Sequence, residues 1–132
     1  MMRKLGNVRI LMIVSLFIYL LALPLVAGAS SHNQEVGLTI EKTFYAQGEE
    51  ILVKFHAPAY WPEDAWIGII PSQIQHGSEE INDEYDITYQ YIEKRTHGVM
   101  VFTAPEPGQW DLRMHNTDRT GKEISYVSFT VR

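Results

Sequence analysis

The feature that most constrains this chain is a two-residue alternation of apolar and polar side chains, carried in short runs. Val36, Leu38 and Ile40 alternate with polar or small neighbours. Ile51, Val53 and Phe55 alternate with Leu52, Lys54 and His56. AWIGII is more continuously apolar, as a central strand of a sandwich would be. Ile87, Tyr89 and Tyr91 alternate with Thr88 and Gln90, and VMVFT, WDLRMH and ISYVSFTV complete the set. A helix needs apolar residues every three to four positions, and these runs do not supply them. Turn chemistry separates the runs. AQGEE precedes the second, KRTHG reads as a hairpin loop with Gly98 late, APEPGQ is a two-proline corner, and NTDRTGKE joins the last two.

Seven short strands at this spacing predict an all-β fold, an antiparallel immunoglobulin-like β-sandwich over residues 36–132. About a hundred residues is one domain's length. There is no cysteine, so apolar burial between the sheets must hold the fold without disulfides. One helical turn is expected at 72–75, where Ser72 and Gln75 have capping-box spacing and Gly77 can end it.

The first thirty residues read differently. Arg3, Lys4 and Arg9 form a basic head, followed by an uncharged run from Ile10 to Ala29 that is most apolar before Pro24. Ala27 and Ala29 then stand at A-x-A spacing. That order predicts a signal peptide over 1–29, cleaved after Ala29, with a short polar lead over 30–35. The alternative is an uncleaved anchor, since the run can just span a bilayer core. Both place the rest of the chain outside the cytoplasm, secreted or periplasmic. All sixteen acidic residues but only eight of the eleven basic ones follow residue 30, so that part carries a charge of −8 against −5 for the whole chain. Such a surface disfavours nucleic acid and anionic lipid, whose phosphates need basic partners. It suits cations, basic proteins or neutral glycans.

DAWIGII, YQYI and VMVFTAPEPGQWDLRMH together resemble the SKICH family and related small immunoglobulin-like modules. The matching residues are Asp64, Trp66, Ile67 and Gly68, then Tyr89 and Tyr91, then Gly108, Trp110, Leu112 and Arg113. The resemblance runs over about residues 45–131. It implies a β-sandwich and a binding role. SKICH modules are typically intracellular and tied to protein binding and membrane targeting, and an exported acidic chain departs from that setting. The sequence also resembles uncharacterised bacterial secreted domains.

Residues 76–86, HGSEEINDEYD, hold five carboxylates in eleven positions. The connection from residue 71 to 86 is long for so small a domain, and long loops tend to carry function. It reads as a solvated loop, as a protein- or glycan-recognition loop, or as a source of oxygen ligands for calcium. His76, Glu79, Glu80, Asn82, Asp83 and Asp86 are its candidate contacts. Tyr60 and Trp61, in a proline-bounded loop, add an aromatic anchor or a cap over the core. Arg113 on an apolar strand either pairs with an acid or clamps a ligand. Trp66 reads as core, and Trp110 as core or corner. A second loop, with Asn116, Asp118, Thr120 and Glu123, resembles half of a calcium loop but has Val127 where the distal glutamate is needed, with Glu123 as a nearer substitute; a hairpin loop using Asn, Asp and Gly for turn geometry is the favoured account. The histidines show no zinc spacing; His56 and His115 are expected on strands, His76 and His97 in loops. No nucleophile motif or phosphate loop is present. The expected function is therefore that of an exported, non-catalytic module binding an extracytoplasmic protein or glycan through the 76–86 loop. The alternatives are a calcium-stabilised domain and a small hydrolase.

Overall fold

The structure, a computed structural model, describes residues 35–132. The expected signal peptide or anchor, its cleavage point and most of the polar lead lie outside the described residues. Eight strands form in chain order: β1 (Gly37–Ile40), β2 (Phe44–Tyr45), β3 (Glu50–His56), β4 (Trp66–Pro71), β5 (Thr88–Tyr91), β6 (His97–Thr103), β7 (Gly108–His115) and β8 (Glu123–Val131). Among the described residues one short helix, α1 (Glu79–Tyr85), lies between β4 and β5. The strands make two sheets, β1-β3-β6 and β2-β8-β7-β4-β5. This is the two-sheet sandwich that the alternation predicts, with one strand more. The extra strand, β2, is two residues long and runs parallel to β8, so the larger sheet is mixed. Two residues are too few for a period to register in sequence. Among the described residues no helix is long and apolar enough to cross a membrane.

Alternation places the core between the sheets. Ile51, Val53 and Phe55 of β3 and Met100 and Phe102 of β6 face Ile67 and Ile69 of β4, Leu112 and Met114 of β7 and Phe129 and Val131 of β8. Each fully buried aliphatic or aromatic side chain of this kind contributes about 1.5–3 kcal/mol of transfer free energy. Trp110 caps one end and donates its Nε1–H to the Glu106 carbonyl at 3.0 Å, an aromatic corner holding the β6–β7 turn.

Three local expectations need correction. KRTHG is not a hairpin loop: β5 and β6 belong to different sheets. Positive φ falls on Glu93 and Lys94, and Gly98 lies inside β6. The alternation of β5 does not track burial: Thr88 and Tyr89 are exposed, Gln90 and Tyr91 half-buried. Ile87 and Tyr89 are about half exposed, while Ile92, just past the strand, is buried. As an edge strand, β5 has few neighbours to cover its outer face. The helix, finally, does not form at 72–75 but in the acidic run itself. Ser78 is its N-cap and accepts a hydrogen bond from the Ile81 amide at 3.3 Å. Glu79 and Glu80 occupy the first turn, where the helix dipole favours negative charge.

Candidate functional site: a polar layer under the acidic helix

From Trp110 onward strand β7 reads Trp110-Asp111-Leu112-Arg113-Met114-His115, and all six residues are buried. Trp110, Leu112 and Met114 enter the core, so Asp111, Arg113 and His115 must point to the opposite face of the sheet. That face is the outer one, and the 72–86 segment covers it. The loop therefore joins β4 and β5 within one sheet and is not a crossing between sheets. It is not a solvated loop throughout either: Glu79 and Asn82, three positions apart on one face of α1, are 2% and 0% exposed.

Arg113 organises the layer. Its side chain has no exposed surface. Nε and Nη2 donate to Asp111 Oδ2 at 3.0 and 2.8 Å, Nη1 donates to Asn82 Oδ1 at 2.8 Å, and Nη2 donates to the Ile74 carbonyl at 2.8 Å. The planar fork thus ties the sheet to both the incoming loop and the helix. Asp111 Oδ1 accepts from Ser72 and Ser128 hydroxyls at 2.8 and 2.7 Å.

Arg113 only donates, so it fixes which way the Asn82 amide points. Asn82 Nδ2 then donates to Glu123 Oε1 at 2.8 Å and to His115 Nε2 at 2.9 Å. His115 Nε2 must therefore carry the lone pair, and the ring is neutral with its proton on Nδ1. Burial, with Arg113 adding like charge, drives its pKa down to about 3. Nδ1 has no hydrogen-bond partner among the described residues. The ring stacks on Trp66, centroids 3.8 Å apart, and Trp66 Nε1 donates to Glu79 Oε1 at 3.1 Å. Trp66 is thus buried, as expected, but in this outer layer and not between the sheets. Gly68 makes room for it: a Cβ there would meet the indole at 2.6 Å.

Glu123 reaches the layer through a β-bulge. The β7–β8 register steps from Met114↔Ser125 to His115↔Glu123, skipping Ile124. Without the extra residue Glu123 would face the same way as Ser125; bulges re-aim side chains in this manner. His76 Nδ1 meets Glu123 Oε2 at 2.7 Å, and its ring lies 4.3 Å from that of Tyr126.

The two loops singled out in the sequence meet here. Glu79 Oε2 accepts from the Gly121 amide at 3.3 Å. Glu79, Asp83 and Asp118 bring carboxylate oxygens within 4.8 Å of one another. Burial, and repulsion from Asp118, raise the Glu79 and Asp83 pKa values; burial and Asp83 raise that of Asp86. Asp118 also accepts from the Tyr91 hydroxyl at 2.7 Å, which pushes the Tyr91 pKa up.

The expected contact residues divide by exposure. Tyr60, Glu80, Asp83 and His76 face solvent, Asp86 is half-buried, and Trp61, Glu79, Asn82 and Arg113 are buried. Tyr60, 83% exposed, and Trp61 line a cavity of about 460 Å³ with Val36, Thr117 and Ile124. Of the second loop's residues, Asp118 joins the carboxylate trio. Asn116 Oδ1 accepts from the Lys122 amide at 2.9 Å, Thr120 donates to the Arg119 carbonyl at 2.7 Å, and Glu123 binds Asn82 and His76. His115, Asp111 and Trp66 were missed as site residues. The strand's own spacing carried no signal for them: polar residues at every second position of a strand whose other face is apolar read as a solvent-facing side, and it is the 72–86 segment that buries them. No protein-family model matches the chain, and no curated protein is significantly similar to it.

Proposed function

We propose that this chain is an exported, non-catalytic binding module that recognises an extracytoplasmic protein or glycan with its 76–86 segment. One observation carries the reading. The exposed acids Glu80, Asp83 and Glu84 stand on a helix whose other face is bonded into the sheet by Glu79 and Asn82. A surface held in this way loses little conformational entropy when it binds. Beside the acids, Tyr85, Ile87 and Tyr89 remain about half exposed, and they offer apolar contact next to negative charge. The mix suits a partner with basic groups set among apolar ones. The polar side chains under the helix are committed to holding it, which favours binding over catalysis. The likeness to SKICH modules agrees with a binding role.

The test is capture from the source cell's envelope by wild type and by a Glu80→Gln, Asp83→Asn, Glu84→Gln variant. The reading expects a melting temperature no lower than that of wild type, since Asp83→Asn relieves repulsion within the carboxylate trio, and a partner lost from the variant. Equal capture by both removes the segment from the account.

The convergence of Glu79, Asp83 and Asp118 favours a second reading, a calcium-stabilised domain, because carboxylate oxygens are calcium's ligands. It expects the melting temperature to rise with millimolar calcium and fall back with chelator. A flat response ends it.

A further inference from the structure

His56 and His97 are 41 positions apart in sequence and sit directly opposite each other in the β3–β6 ladder. His97 was expected in a loop; it opens β6. The next pair outward, Ala57 and Thr96, is joined by the Ala57 amide donating to the Thr96 carbonyl at 2.9 Å. Hydrogen-bonded and non-hydrogen-bonded pairs alternate along an antiparallel ladder, so His56 and His97 form a non-hydrogen-bonded pair. Those are the pairs whose side chains stand closest, with Cβ atoms roughly 4.5–5.5 Å apart. Both rings project from the outer face of the three-stranded sheet, opposite to the acidic helix. Their centroids are 6.3 Å apart and their planes differ by 29°.

We propose that His56 and His97 form a cross-strand bis-imidazole site for a divalent transition metal of the zinc or copper class. An imidazole nitrogen ligates zinc at about 2.0–2.1 Å, which places two rings sharing one ion roughly 5–6 Å apart between centroids. The rings are stacked, so rotation about the side-chain bonds has to turn one nitrogen of each toward a common point for an ion to be shared. Both rings line one cleft of about 310 Å³ with Ala57, Pro58 and Thr96. Glu35 and His56 both line the adjoining cavity. Nitrogen donors select against calcium and magnesium and place copper above zinc. This site is independent of the acidic segment.

Zinc titrated calorimetrically into the whole, tag-free chain is the test. The site expects one equivalent bound, with affinity falling about tenfold or more in His56→Asn and in His97→Asn, since either substitution removes half the ligand pair. Circular dichroism should be unchanged in both. His32→Asn and the Glu80→Gln, Asp83→Asn, Glu84→Gln variant should bind zinc as wild type does, which separates this site from the chain's start and from the acidic face. With copper, electron paramagnetic resonance should show two nitrogen ligands in the wild type and one in each single variant. No binding at millimolar zinc, or undiminished affinity in either histidine variant, overturns the proposal.

Discussion

Arg113 is the residue on which the outer layer depends most. It and Asp111 are a buried pair, 0% and 1% exposed. Removing one member of such a pair leaves an uncompensated charge, at a cost of about 3–5 kcal/mol. Arg113→Met should lower unfolding stability by that amount in urea titration, whereas Glu80→Gln, in water on the same helix, should change it by less than about 0.5 kcal/mol. Glu79→Gln should fall between them, since Trp66 and Gly121 lose a charged acceptor. His115 supplies a pH dependence. Its folded value of about 3 lies below its ordinary 6.5, so between these values the unfolded chain binds a proton that the native state refuses. The stability from its burial is whole above 6.5 and is lost as pH falls, at up to about 1.4 kcal/mol per unit. Glu79, Asp83 and Asp86 act in the opposite sense. Their folded values are raised, so just above the ordinary carboxylate range the native state holds the extra protons and stability rises as pH falls. His115→Phe keeps a ring on Trp66 and should flatten the slope between pH 6.5 and 4. An unchanged slope would mean the ring does not titrate in this way.

At the scale of elements, α1 decides whether the 72–86 segment is a plate or a loop. Ser78→Ala removes its cap and should cost about 1 kcal/mol. Gly68→Ala pushes the Trp66 indole off the strand and should cost about 1–3 kcal/mol; both are read by thermal melts. The strands around this segment were legible in sequence because alternation directly encodes which face is buried. The runs at Ile51–Phe55 and Trp110–Met114 are examples. The helix was not, because seven residues give fewer than two turns of periodicity and five like charges suggest water. Its register could still be found in Ser78, Glu79 and Asn82, a cap followed by two polar residues three apart. Glu123's place in the layer was out of reach, since it depends on a bulge that only the pairing of β7 and β8 reveals. The same holds for His56 and His97, which are neighbours through register alone.

For the whole molecule, the sandwich has a dry core between its sheets and a second, polar layer outside the larger one. The two layers should respond differently to perturbation. pH acts on the outer layer, whose buried ionisable groups are balanced by specific partners, and leaves the apolar core nearly untouched; salt screens those buried pairs little. Asp118→Asn should stabilise the protein at pH 7, by relieving Glu79 and Asp83, and do so less in acid, where those groups, their pKa values raised, take up protons sooner than free carboxyls do. The central claim is that the acidic segment is held in one conformation by the sheet beneath it. Native-state hydrogen exchange at the Asn82 amide, which donates to the Ser78 carbonyl at 3.1 Å, tests it most directly. The account expects strong protection in wild type and a large loss of it in Arg113→Met. Exchange in the wild type at the rate of an unfolded chain would contradict it.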